Sequence, residues 1–520
     1  MKYSNDTMVG MALEHDNNLE SIQNIFSIVA RGARTSFLLR NVGIFLKFCY
    51  TLILTRFLGA DLFGLYALGY AFYRILAKIS TVGIDNALLK YVPAYSNESR
   101  RRDLKGVLVS AFIITSGVSI VVSFITFAAA PYLATVVFAN SDLEYVFKVF
   151  ALCIPLMAIV VFCSAAFQAR KMVALSVSLR EVLHVFIALI LSLPILYLRF
   201  SLKGILICFL LSLMFTMIIS LYFFKNKFSE YLRKELRYTS TYRNLLSFSL
   251  PVFLVGFSYI LMMQTDRIMI GYFLDSKDVG IYVVAARMAL LLNLVAASFQ
   301  TIFVPYISEL YNKNQLDILS KVIKIINKWT FVFSVIVWAF FVLFSKELLS
   351  IFGREFVAGA IPFVVLSSTL LLVGVTGSNA YILQMTGKQI VECLNSLVSV
   401  VGNVVLNVIL IPRYGIIGAA LATGASLVLM NVIRLFQIYC FIGVTPYDRR
   451  FIKPLFSSTV AGVGAGLFLH FSGGNGFMYS ALSFGIFVGI YVSLYVMSGL
   501  DDEEKFLRFM VGLVKTEELE

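Results

Sequence analysis

Runs of about 20 apolar residues recur from residue 37 to residue 499, with short polar stretches between them. A helix of about 20 residues rises about 30 Å, the thickness of the hydrocarbon core of a bilayer. Lipid offers no partner for backbone N–H and C=O groups, so runs of this kind must be helical. The expected fold class follows: an all-α polytopic membrane protein. Composition agrees, since 59% of the 520 residues are hydrophobic, 14% are charged and the mean hydropathy is +0.88. A soluble domain carries roughly a quarter charged residues, and no water-soluble core could absorb so much apolar surface.

The pattern predicts about 14 transmembrane helices: 37–58, 62–83, 107–130, 147–167, 175–198, 202–224, 245–274, 279–304, 326–346, 358–384, 390–412, 415–441, 452–471 and 477–499. The net charge of +14 is not gathered on one face of a domain, as a nucleic-acid-binding surface would be. It comes in clusters between apolar runs. With the amino terminus in the cytoplasm, Arg100, Arg101, Arg102 and Lys105, Arg170 and Lys171, Lys225 to Arg237, and Arg449, Arg450 and Lys453 all fall on one side. Asp142 and Glu144, with Asp275 and Asp278, fall on the other. The positive-inside rule then places both termini in the cytoplasm. The six cysteines lie singly, without metal or disulfide spacing.

An internal repeat divides the chain further. Phe63-Gly64-Leu65-Tyr66 matches Val279-Gly280-Ile281-Tyr282 at an offset of 216, and Val92-Pro93 matches Val304-Pro305 at 212. Phe167-Gln168 matches Leu383-Gln384 at 216, and Lys203-Gly204-Ile205 matches Ile417-Gly418-Ala419 at 214. Each unit holds about six helices, an even number, so the copies share one orientation. Two parallel six-helix repeats forming two lobes are expected, with two C-terminal helices outside the repeat. The expected divisions are a cytoplasmic or interfacial segment 1–36, a first lobe 37–224, a basic linker 225–244, a second lobe 245–441, extra helices 442–499 and a cytoplasmic tail 500–520.

The stretch Arg56-Phe57-Leu58-Gly59, Phe63-Gly64-Leu65-Tyr66, Gly83, Ala87, Tyr91-Val92-Pro93, and the later run Ile411-Pro412-Arg413-Tyr414-Gly415-Ile416-Ile417-Gly418-Ala419-Ala420, carry a family resemblance. They resemble the signatures of the polysaccharide-transport branch (Wzx-type oligosaccharide flippases) of the multidrug/oligosaccharidyl-lipid/polysaccharide exporter superfamily. The resemblance covers nearly the whole chain. It implies a flippase that carries polyprenyl-(pyro)phosphate-linked oligosaccharide across the cell membrane for surface polysaccharide or glycan biosynthesis. Lipid II flippases and multidrug-extrusion exporters are the rival readings within the superfamily, and a non-transporting scaffold for glycan assembly lies outside it. Possible partners are the lipid-linked oligosaccharide, the bilayer and other glycan-assembly membrane proteins.

Charges inside spanning helices cost about 2.5–3.5 kcal/mol each on insertion scales, so each needs water, a partner or an interface. Lys47 lies ten residues into the first span, about 15 Å by helical rise, and is the first choice for a cation facing substrate. Arg40 shares its face two turns earlier and lies shallow enough to snorkel. Arg74 and Lys78 share a face of the second span; Arg287 lies about 12 Å into the eighth. Together Lys47, Arg74, Lys78, Arg287 and Arg40 form the expected phosphate-binding set, because lysine and arginine both take phosphate oxygens. Under the 216 offset Arg40 and Lys47 fall on Gly256 and Met263, so these cations are not part of the duplicated scaffold. Asp266 and Arg267, near the outer end of the seventh span, read first as a solvated pair, with coupling or gating as the alternative. His184 reads as a packed residue. Asn293, Gln300, Asn379, Gln384, Asn395, Asn403 and Asn407 read mostly as interhelical hydrogen bonding.

No GxxxxGK[ST] phosphate loop occurs, no stretch is long enough for a glycosyltransferase domain, and no His and carboxylate cluster has metal spacing. The expectation is a transporter and not an enzyme, without a cofactor, working by alternating access with Na+ or H+ coupling left open.

Overall fold

The computed structural model describes residues 5–95, 100–197, 202–231, 242–375, 379–445, 451–472 and 476–498. The central part of the linker, the carboxy-terminal tail and the side chain of Gln300 lie outside the described residues. In chain order the helices are α1 (Asn5–Thr81), α2 (Ile84–Ala94), α3 (Arg101–Tyr132), α4 (Asp142–Ala169), α5 (Val173–Val177), α6 (His184–Tyr197), α7 (Leu202–Phe228), α8 (Tyr242–Phe273) and α9 (Ser276–Leu290). They continue as α10 (Asn293–Asn312), α11 (Leu316–Leu343), α12 (Ser345–Ser350), α13 (Ala360–Val375), α14 (Asn379–Met385), α15 (Gln389–Ile442), α16 (Ile452–Ser472) and α17 (Phe477–Met497). There is no strand among the described residues.

Twelve of these helical stretches are long and apolar enough to cross a membrane, against about fourteen spans read from the sequence. The difference lies at two glycines. Gly59 (φ 72°, ψ −178°) interrupts α1, and Gly415 (φ 60°, ψ −140°) interrupts α15, each between two apolar arms that the sequence reading counts separately. A positive φ at these points is open to glycine at little cost. The resemblance motifs therefore mark chain breaks inside long helical hairpins.

By contacts the chain divides into two compact units, residues up to Leu54 with Tyr73–Gly256, and Thr55–Phe72 with Phe257 onward. In the first unit Phe162, Phe167, Phe224 and Phe228 form a chain of ring contacts, within a buried cluster that includes Ile84, Leu88, Val92, Leu104 and Leu108. In the second, Ile307, Leu319, Ile323, Ile382, Leu383 and Ile438 form a core shared by α10, α11, α14 and α15.

The segment Thr55–Phe72 is held in the second unit by polar contacts at the α1 break. The Arg56 guanidinium donates to the Ile351 carbonyl oxygen at 2.6 Å, and Glu355 accepts the backbone N–H of Ala60 at 2.9 Å. Ser276 hydrogen-bonds Asp61. Here the repeat-related glycines meet: a Cβ on Gly64 would overlap the Ser276 carbonyl and lie 3.1 Å from the Gly280 nitrogen. A Cβ on Gly280 would overlap the Ala60 carbonyl and lie 3.2 Å from the Gly64 nitrogen. Helices approach this closely only where both lack side chains.

Candidate functional site

Two cationic side chains of the first unit, Lys47 and Arg180, meet one carboxylate, that of Glu181. Glu181 sits in a π-helical turn, Ser178–Leu183, inserted between α5 and α6. Such wide turns are rare and often mark functional positions. Gly43 on α1 lets the turn come close, since a Cβ there would stand 3.1 Å from the Glu181 carbonyl oxygen. One turn of α1 further on, the Lys47 ammonium ion-pairs with Glu181, and Arg180 Nε lies 3.9 Å from the same carboxylate. Lys47 and Glu181 keep 39% and 36% of their side chains exposed. His184, one turn after Glu181, is buried and its Nδ1 has no hydrogen-bond partner. Lys47, Glu181 and Arg74 all act electrostatically on His184, which brings Arg74 into the same neighbourhood.

The other expected cations fare differently. Lys78 is ion-paired with Asp85 at 3.1 Å, with 14% of its side chain exposed. Arg40 is exposed, seven residues before Lys47 on α1, and Arg287 is half-buried in the last turn of α9. Of the five, Lys47 and Arg74 are thus brought together with Arg180, which the sequence reading did not select.

The second unit holds a different arrangement. Asp266 and Arg267 are 5% and 9% exposed, which overturns the reading of a solvated outer pair. Arg267 donates to Gln264 Oε1 at 2.6 Å. Asp266 accepts from the Tyr282 hydroxyl at 2.5 Å, the Thr423 hydroxyl at 2.5 Å, Asn407 Nδ2 at 2.9 Å and Asn403 Nδ2 at 3.3 Å. These groups come from α8, α9 and both arms of α15. The error has a physical cause: Asp266 is near one end of its helix, but neighbouring helices pack over that end, so distance along the helix was not distance from water. Asn403 and Asn407, expected to be interhelical hydrogen-bonders, are so here.

The two amides turn their nitrogens, and the two hydroxyls their protons, to this one carboxylate, which is closed among its own donors. The Oδ1 of Asn407 is buried without a hydrogen-bond partner, so one acceptor is already available there. No group of three or more His, Cys, Asp or Glu residues able to hold a metal ion occurs among the described residues.

A second polar ladder was missed. Between the arms of α15, Arg434 holds Glu392 through two bonds at 2.6 and 2.9 Å, and Asn395 and Gln437 exchange bonds at 2.6 and 3.0 Å. The signal was present as spacing: a carboxylate and an amide three apart on one arm, a cation and an amide three apart on the other. Lys328 was also passed over, because the expected span 326–346 left it at an edge. In the structure α11 begins at Leu316 and Lys328 is 4% exposed.

Comparison with known proteins gives this fold a context. The model of the family described as polysaccharide biosynthesis protein matches residues 29–311, more than half of the chain, and the MatE model matches residues 251–412. The probable low-salt glycan biosynthesis flippase Agl15 of Haloferax volcanii is 29% identical over 237 residues, 45% of this chain and 49% of that protein. The chain thus spans about half the length of that relative. An uncharacterized membrane protein of Methanocaldococcus jannaschii is 24% identical over 72% of this chain and 76% of its own length. The lipid II flippase MurJ, in an inward closed conformation, superposes with a TM-score of 0.71 at 13% identity, over 93% of this chain and all of that one. At that identity the likeness is one of fold.

Proposed function

Because the chain belongs to the polysaccharide biosynthesis protein family, we propose that it is a flippase for polyprenyl phosphate- or diphosphate-linked oligosaccharide. Its place is the cell membrane, with both termini in the cytoplasm, and the glycan it serves is a surface or protein-linked polysaccharide. The observation that carries the reading is the ion pair of Lys47 with Glu181, with Arg180 Nε 3.9 Å from the same carboxylate, between apolar helices where a charge is costly. The printed name of Agl15, a probable glycan biosynthesis flippase, supports it.

Chemically, the head group is the costly part of the cargo. Phosphates and sugar hydroxyls lose several kcal/mol when moved from water into hydrocarbon without partners, roughly 4–8 kcal/mol for a hydroxyl or amide in the driest reference solvent. Ammonium and guanidinium groups on a hydrated face replace the lost water, while the polyprenyl tail stays in lipid. The two repeats alternate in access, first to the cytoplasm and then outward. With the interior negative, each negative charge moved outward gains about 2.3 kcal/mol per 100 mV. Where a coupling ion is used, Na+ or H+ binds at Asp266, with Asn403, Asn407 and Thr423 around it. Lipid II presents the same diphosphate chemistry, so a head-group assay with both lipids separates the two readings.

The test is Lys47→Ala in liposomes containing a fluorescent polyprenyl-diphospho-oligosaccharide. Flipping falls at least tenfold, while the protein remains monodisperse and helical. Wild-type rates from the variant would remove the cationic cluster from the mechanism.

A further inference from the structure

We propose that the turn between α4 and α5, together with the end of α7, is a binding site for the head group of an acidic phospholipid of the surrounding bilayer. The inference needs only that α4 and α7 cross a membrane, and it is independent of the cargo that the protein carries.

The turn is built at a cost. At the end of α4 the Met172 N–H donates to the Phe167 carbonyl oxygen at 2.9 Å, and the Lys171 N–H donates to the Gln168 carbonyl oxygen at 2.9 Å. This double closure needs a left-handed residue at its centre, a place that glycine usually takes. Here the residue is Lys171, at φ 62°, and a Cβ in that conformation crowds the following carbonyl oxygen. The Lys171 side chain is exposed. The positive-inside rule accounts for a cation near this point but not for a left-handed one, since a lysine one residue away from a glycine would orient the chain as well.

The neighbouring cation is held in place. Arg170 Nη1 donates to the Lys227 carbonyl oxygen at 2.6 Å, and the guanidinium carbon lies 5.2 Å from the Phe228 ring centre and 5.4 Å from that of Tyr231. Phe228 is part of the buried cluster of the first unit and Tyr231 packs against it, so the guanidinium is positioned before any ligand arrives. A guanidinium offers a phosphate parallel N–H donors, and an ammonium beside it adds a point charge. Lys225 and Lys227 are exposed on the last turn of α7, and Glu230 is the one carboxylate between residues 225 and 231.

The position decides the occupant. α4 and α7 are apolar spans of 28 and 27 residues that end at Ala169 and Phe228, so the cations lie where two helices leave the hydrocarbon. On α7, Phe215, Ile218 and Tyr222 are 44%, 51% and 63% exposed, and by helical spacing they share a face with Lys225. An acyl chain lying on that face brings its head group to the cations. A soluble phosphate would meet the cations and leave the apolar stripe bare. Basic clusters at the ends of spanning helices are places where acidic lipid head groups bind.

The experiment follows thermal unfolding of the purified full-length protein in dodecyl maltoside micelles as dioleoylphosphatidylglycerol is added. Dioleoylphosphatidylcholine serves as the neutral lipid and glycerol 3-phosphate as the soluble head group. A ligand that binds the folded state raises its unfolding temperature, so phosphatidylglycerol raises that of the wild type while the other two do not. Lys171→Gly unfolds at a higher temperature than wild type without lipid, because the left-handed strain is relieved. It nevertheless needs about tenfold more phosphatidylglycerol for half the effect, as the loss of one charge-assisted contact requires. Lys171→Gln keeps the strain and removes the charge, and it needs the same excess without the gain in stability. Lys321→Gln, which removes an exposed cation on α11, changes neither quantity. No response of the wild type to phosphatidylglycerol, or a wild-type response in both Lys171 variants, overturns the proposal. An equal loss in Lys321→Gln overturns it too, because the lipid is then drawn by diffuse charge. A glycerol 3-phosphate shift as large as that of phosphatidylglycerol rules out the lipid as the occupant.

Discussion

Lys47 and Glu181 in the first unit, and Glu392 and Arg434 in the second, are both ion pairs between apolar helices, yet their surroundings are opposite. The first pair is open by more than a third on each side chain, and the second is closed to 4% and 14%. Asp266, also in the second unit, is enclosed further, with four donors from α9 and the two arms of α15. A charge that keeps an open side can change partners within one transport cycle. A charge whose lone pairs are all taken fixes the helices that supply the donors. The open pair of the first unit is therefore suited to changing partners, and the closed clusters of the second unit are suited to fixing helices.

The largest effect expected from breaking this comparison is at Asp266. Asp266→Ala removes the common acceptor of Tyr282, Thr423, Asn403 and Asn407 and leaves their donors buried together. A loss of about 3–5 kcal/mol, the range for removing one partner of a buried charged network, should appear as a large drop in thermal stability in detergent. If the variant melts within a degree or two of wild type, the cluster is not closed in the way the hydrogen bonds indicate. Stability of the wild type that rises with Na+ at fixed ionic strength, and no longer does so in Asp266→Asn, would identify the ion.

A smaller difference comes from treating the two pairs alike. Glu392→Ala strands the Arg434 guanidinium and should cost about 3 kcal/mol, near the lower end for a broken buried pair. Glu181→Ala breaks a singly bonded pair with more than a third of each side chain exposed and should cost about 1 kcal/mol or less. Both are read from denaturation of the purified proteins. Equal losses would mean that Lys47 and Glu181 are a structural clip, and the division between the units would fall with that result.

The helices and their order were legible from the sequence because apolar length and helical rise are local quantities. Gly59 and Gly415 were legible as turns for the same reason, although not as breaks inside continuous helices. What the sequence did not show is proximity across long separations. Glu181 is 134 residues from Lys47, and the donors to Asp266 on α15 are 137 to 157 residues away. Nothing in the periodicity of one helix reports which face its neighbours cover. Asp266 and Arg267 were assigned to water on that account, since a position near a helix end was equated with exposure. Arg180 was missed because the π-helical turn that places it beside Glu181 has no signature in an apolar run.

Arg40 supplies the smallest effect and the finest test of how depth sorts these cations. It lies on the same face of α1 as Lys47 but two turns nearer the start of the span, and it is exposed. A long side chain this near the start of a span can reach the headgroup region by snorkelling, at little cost. Arg40→Ala should therefore change stability by less than about 0.5 kcal/mol, as an exposed substitution does, and lower flipping by less than twofold in the liposome assay. A tenfold loss would place Arg40 in the path of the head group. The cationic track would then extend along α1 from the cytoplasmic interface to Lys47, and the first unit would guide its ligand inward instead of meeting it at one seat.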